Sequence, residues 1–170
     1  MRKSSFWIVY AIFLVAQLLL SNYFNLTPYL LLSLLPAMVL CIPIRMGTLP
    51  AMLVAMGTGL VVDLLSEGII GLNAAALLPV ALLREEIIRL VFGGELYARK
   101  EDFCVRRNGP GKVAIAVLMA QGVFLAVYIW LDAAGTQPFW FKAVRWLISL
   151  ICGLALAMLS MDSLAPDNRK

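Results

Sequence analysis

The sequence predicts an all-α integral membrane protein of about six transmembrane helices, with both termini on the cytoplasmic side. Three observations carry that reading. The 170 residues are 62% hydrophobic and only 14% charged, with a mean hydropathy of +0.92, far from the averages of soluble domains. Apolar runs near the length needed to cross about 30 Å of hydrocarbon recur along the whole chain. Lys and Arg then fall on one side of the alternation those runs create. A single membrane domain over 1–170 follows, with no room for a separate soluble domain.

The first run, 6–24, follows Arg2 and Lys3. It is long for a signal core and no small-x-small cleavage site follows it, so an uncleaved first span is expected. The second, 26–44, is bracketed by Pro28 and Pro43 and holds Pro36 in its middle. Proline removes a backbone donor and clashes with the preceding turn, so either a kinked helix or a re-entrant hairpin is expected there. Arg45 to Thr48 make a turn into the third run, 49–65, where Pro50 is acceptable in the first turn. Ser66, Glu67 and Gly68 break the pattern before the fourth run, 69–83, in which Pro79 predicts a kink.

Beyond it, Arg84, Glu85, Glu86 and Arg89 alternate with Ile87, Ile88, Leu90 and Phe92. That mixture predicts a helix leaving the membrane and lying on its surface, ended by Gly93 and Gly94, within a cytoplasmic interfacial loop over 84–112. The fifth and sixth runs cover 113–131 and 139–161. Trp7, Trp130, Trp140 and Trp146 fall near predicted span ends, where amphipathic rings prefer the headgroup layer.

With six spans and the N-terminus inside, Arg2, Lys3, Arg45, Arg84, Arg89, Arg99, Lys100, Arg106, Arg107, Lys112, Arg169 and Lys170 share the inner side. Only Lys142 and Arg145 of the 14 basic residues remain outside. A five-span arrangement would split the bias. The net charge of +4 then reflects cytoplasmic loops rather than nucleic-acid binding. The stretch 99–112 could also touch anionic lipid or a cytoplasmic filament.

Histidine is absent, which removes the commonest general base and metal ligand. Glu85, Glu86 and Arg89 resemble the paired glutamates of intramembrane prenyl-protein proteases, but that mechanism needs histidines. An aspartyl protease would need Asp63 and Asp132 to converge, and Asp132 reads better as a solvated charge in an outer loop. Cys41, Cys104 and Cys152 show no CxxC spacing and read as reduced thiols. No enzyme activity, metal or cofactor is expected.

Asp63 stands out within the apolar stretch 57–76. The alternation places it with Ser66 and Glu67 at the outer end of the third helix, where ionisation is less costly than at mid-membrane. Asp63 or Ser66 could cap the fourth helix; a packing, partner or transport site is the alternative. Gly57, Gly59, Gly68 and Gly71 cluster around this turn, and Ala55 with Gly59 places small residues four apart, so helices three and four are expected to pack closely. Asn73, Gln17 and Gln121 read as hydrogen-bonding packing residues.

Gly59, Leu60, Val62, Asp63, Leu64, Leu65 and Ser66, followed by Gly71, Leu72, Asn73 and Ala74, fit a pattern of the form G-L-x-x-D-L-L-S then G-L-x-A. In this the chain resembles the rod shape-determining MreD family of bacterial inner-membrane proteins. The motif covers about residues 55 to 84; length and hydropathy agree over the rest. Glu67 and Ile69 depart from the small or proline-containing turn of the family. The resemblance implies a non-catalytic component of the cell-elongation machinery that regulates lateral peptidoglycan synthesis. Its implied partners are MreC and, through it, the filament protein MreB, the glycosyltransferase RodA and a class B penicillin-binding protein. Gly59, Asp63, Ser66, Gly71 and Asn73 are the structural or partner-contact candidates.

The family is also similar in fold to the substrate-binding S components of energy-coupling-factor vitamin transporters. The alternative is therefore such an S component, for which Asn22, Asn25, Asp63, Asn73, Asp132 and Gln137 are the outward polar candidates.

Overall fold

Proline placement explains the most unusual element. In the computed structural model, which describes residues 3–23, 30–67, 70–93, 109–132 and 138–164, the run expected as a helix over 26–44 is not one. Residues 30–34 are non-helical, α2 covers only Leu35–Leu40, and turns follow to Gly47. Pro36 lies in the first turn of α2, where a missing N–H is harmless, and its ring blocks helix extending backwards through residue 32. Pro43 restricts Ile42 and closes the other end. The two prolines leave a helix of only six residues.

Around α2 stand five longer helices: α1 Lys3–Tyr23, α3 Thr48–Val62, α4 Leu72–Phe92, α5 Pro110–Asp132 and α6 Phe139–Leu164. A π-helical turn, Asp63–Glu67, extends α3. The described residues contain six α-helices and no strand. α1, the α3 segment through Ser66, α5 and α6 are long and apolar enough to cross a membrane, as befits a membrane protein. α4 is as long as α1 but carries Arg84, Glu85, Glu86 and Arg89.

α4 also corrects the expected interfacial loop. The chain does not leave the bundle after residue 83; it continues as the same helix to Phe92, with Arg84, Ile87 and Ile88 buried. Their spacing of three to four residues continues the inward face formed by Asn73, Leu77 and Val80. Gly93, at φ +70, ends the helix as expected and donates its N–H to the Arg89 carbonyl at 2.8 Å. α5 begins earlier than expected, at Pro110, behind Gly109 at φ +81. Residues 94–108, with Cys104, lie outside the described residues.

α2 is buried in full and touches all five other helices, so the core is organised around it. Its neighbours bury one face and expose the other. On α1, Tyr10 and Gln17 point inward, seven residues apart, while Ile8, Ile12, Val15 and Leu19 are exposed. In a bilayer such exposed stripes meet hydrocarbon, so apolar burial alone provides little drive for association; packing and hydrogen bonds must hold the helices.

The non-helical stretch 30–34 shows how. Leu34 N–H donates to Gln17 Oε1 at 2.7 Å, and Leu31 N–H donates to Ser149 Oγ at 2.9 Å. Gln121 Nε2 donates to the Ser33 carbonyl at 3.2 Å. Three helices, α1, α5 and α6, thus supply the partners that a helix would have supplied internally. At the other end of α2, the buried Arg84 guanidinium donates to the Ile42 carbonyl. A cation beside the C-terminal carbonyls of a helix is favourable, and this contact gives α4 its grip on α2.

Replacing Gln17 with Leu keeps the side-chain size but strands the Leu34 N–H. We expect unfolding in mixed micelles to shift by about 1–3 kcal/mol, the cost of an unsatisfied buried donor. A conservative change at the exposed Leu19, Leu19→Ile, is expected to change little.

Candidate functional site

Asp63 sits where α3 gives way to the π-helical turn, and it is fully buried rather than lying at an exposed rim. Its charge is met by the start of α4. Oδ2 accepts from the Gly71 N–H at 2.9 Å and the Ala74 N–H at 3.3 Å. Oδ1 accepts from the Asn73 N–H at 2.9 Å and from Asn73 Nδ2 at 3.0 Å. A helix begins with N–H groups that have no internal acceptor and with positive dipole potential. Asp63 answers both from a different helix, acting as an N-cap borrowed across the hairpin.

Two glycines make that reach possible. Gly71 has φ +100, a left-handed conformation that turns the chain into α4 and aims its N–H at the carboxylate. Gly59, one turn before Asp63, faces the α4 backbone; a Cβ there would stand 2.5 Å from both Cα and N of Ala74. Only a hydrogen at Gly59 lets the backbones approach this closely. Ala55, four residues earlier, is fully buried on the same face.

Four of the five candidates therefore form one unit: Gly59, Asp63, Gly71 and Asn73. Ser66 does not join it; its Oγ is buried and makes no hydrogen bond among the described residues. Gly57 takes no part either, since nothing lies within 4 Å of where its Cβ would be. Gly68 is outside the described residues.

The other polar positions are also engaged. Asp132 is not a solvated loop charge but the last residue of α5, paired with Arg145 of α6 at 2.6 Å. Asn22 Nδ2 donates to the Leu18 carbonyl within its own helix. Asn25 and Gln137 lie outside the described residues. Thr58 Oγ1 donates to the Val54 carbonyl at 2.7 Å, which leaves the Tyr10 hydroxyl to donate to Thr58 at 2.9 Å and tie α1 to α3. Thr48 Oγ1 donates to Glu85 Oε1 at 2.5 Å, binding the start of α3 to α4. Trp146 Nε1 donates to the Gly122 carbonyl at 3.2 Å, between α6 and α5.

Ser149 and Gly153 escaped the sequence reading, and Arg84, expected at the membrane surface, is instead buried on the Ile42 carbonyl. Gly153 matters because a Cβ there would meet Gln121 Nε2 at 2.5 Å and push the amide away from Ser33. The available signal was a polar residue or a glycine within an apolar helix, which names a contact without naming its partner.

Chemically, the Asp63 carboxylate is saturated. Each oxygen already accepts two N–H groups, so a ligand there would displace the cap. The arrangement fixes geometry instead. No family model, curated protein or solved structure matches the chain.

Two substitutions separate close approach from mere glycine content. Gly59→Ala is expected to push α3 from α4 and destabilise by about 1–3 kcal/mol, whereas Gly57→Ala should be neutral or slightly stabilising. Asp63→Asn turns an amide NH2 towards N–H donors and should cost about 1.5–3 kcal/mol for each bond lost. Unfolding midpoints in mixed micelles check all three. Wild-type stability in Asp63→Asn would remove the charged cap as the reason for this aspartate.

Proposed function

We propose that the chain is a non-catalytic scaffold of the bacterial cell-elongation machinery, MreD-like, multi-pass in the inner membrane, acting with MreC. Through MreC it would reach MreB, RodA and a class B penicillin-binding protein, and so regulate lateral peptidoglycan synthesis. One observation carries the reading: the residues of the resemblance, Gly59, Asp63, Gly71 and Asn73, are the residues that lock the α3–α4 hairpin. A motif whose members depend on one another physically is a stronger basis than scattered apolar similarity.

In this reading the chain crosses the bilayer six times. The segment between α1 and α3 that holds α2 makes the second crossing, non-helical over 30–34 and helical over Leu35–Leu40, and α4 makes the fourth despite its charges. The Asp63 end faces outward and the Arg84 end faces the cytoplasm, in keeping with the basic residues. Such a protein works through differential helix contacts and needs no catalytic residue.

The transporter alternative draws on the broken crossing, because unwound backbone near mid-membrane is a place where transporters hold substrates. Against it stands the engagement of that backbone by Gln17, Gln121 and Ser149.

Depletion of the protein should round or swell rod-shaped cells, and a tagged copy should retain MreC through purification. A purified sample carrying a near-stoichiometric vitamin and no MreC would replace the scaffold with the S-component reading. A cysteine-accessibility map that exposes residues 99 to 112 on the outer face would overturn the orientation.

A further inference from the structure

α4 and α6 flank α5 and leave between them an open, almost wholly apolar groove of about 440 Å3. Gly122 of α5 forms part of its floor, Leu83 and Ile87 of α4 one wall, and Trp146 of α6 the other. The wall is fixed in place, because the Trp146 indole is bonded to the Gly122 carbonyl. A Cβ on Gly122 would meet Trp146 at 3.5 Å, an ordinary contact, so the glycine is not there to relieve a clash between α5 and α6. It leaves the floor low.

One charge stands at this groove. Glu86 lines it with a side chain that is 70% exposed, and its ion pair with Arg89, one turn along α4, is 3.5 Å long and also exposed. Such a pair contributes little and leaves the carboxylate available to a second cation.

We propose that the groove receives a membrane-crossing helix of a partner protein whose cytoplasmic end carries Lys or Arg. The inference rests on the orientation and scaffold role proposed above. Charge selects this occupant over lipid: a phospholipid seating an acyl chain here would bring its phosphate towards Glu86, whereas basic residues gather at the cytoplasmic ends of spans. Size selects the manner of docking. A whole helix, about 10–12 Å across, does not fit into such a groove, but apolar side chains three or four residues apart on one helix face do.

The test uses the intact chain expressed in its native membrane with tagged MreC. Leu118→Trp fills the groove, Glu86→Lys inverts its charge, and Leu53→Trp adds the same bulk to an exposed position on α3. The first two should lower MreC recovery about tenfold or more, equivalent to at least 1.4 kcal/mol, while Leu53→Trp recovers it at the wild-type level. Exchanging the basic residue at the cytoplasmic end of the MreC span for Glu should restore recovery with Glu86→Lys. Independently of any folding defect, a photoreactive residue at Met119 in the otherwise unaltered chain should crosslink to that span. Undiminished recovery by both groove variants overturns the groove while leaving the scaffold reading intact. A Met119 crosslink only to lipid, or only to a second copy of this chain, does the same. Failure of the wild type to retain MreC overturns both.

Discussion

Backbone N–H and C=O groups inside a bilayer have no water to bond, and each one left unpaired costs several kcal/mol. A continuous helix meets that requirement internally. Among the described residues the chain departs from continuous helix in the stretch before α2 and in the turn before α4, as well as after α2, and the packing around the first two is arranged to meet it. Gln17, Ser149 and Gln121 serve the first place, and Asp63 with the Asn73 side chain serves the second. The polar residues of the spans are therefore concentrated where the backbone needs them.

The two places are connected through α4. Its first turn is held by Asp63 from α3, and three turns later its Arg84 holds the end of α2. α2 in turn contacts every other helix. Loosening the Asp63 cap would thus reach the core through a single rigid element rather than through a chain of weak contacts. The close approach permitted by Gly59 serves the same end, since a carboxylate on a short side chain reaches the N–H groups of α4 only if the two backbones nearly touch.

This arrangement suits a protein that presents surfaces. Most of its interior polar side chains bond one another or the backbone, Ser66 Oγ and Gln121 Oε1 excepted, while its outer faces, such as the Ile8, Ile12, Val15 and Leu19 stripe of α1, carry apolar side chains. Glu86 differs from these interior groups in being exposed beside an apolar groove. Partner contacts across such surfaces depend on fit and on rare charges, because lipid competes equally well for any leucine.

By itself the sequence determined the helical membrane class, most of the longer helices and the importance of the Gly59 to Asn73 hairpin. Those features are written locally: hydropathy in runs, proline and glycine at turns, and one carboxylate among apolar residues. Tertiary structure decided the rest. Whether 26–44 would kink or break depended on Gln17, Gln121 and Ser149 being near enough to replace the missing helical bonds, and they come from residues up to 118 positions away. Whether Arg84 would leave the bundle or enter it depended on the Ile42 carbonyl, just past the end of α2, lying near enough to accept from it. A polar residue in an apolar run announces that it needs a partner, but the partner is fixed by packing in three dimensions.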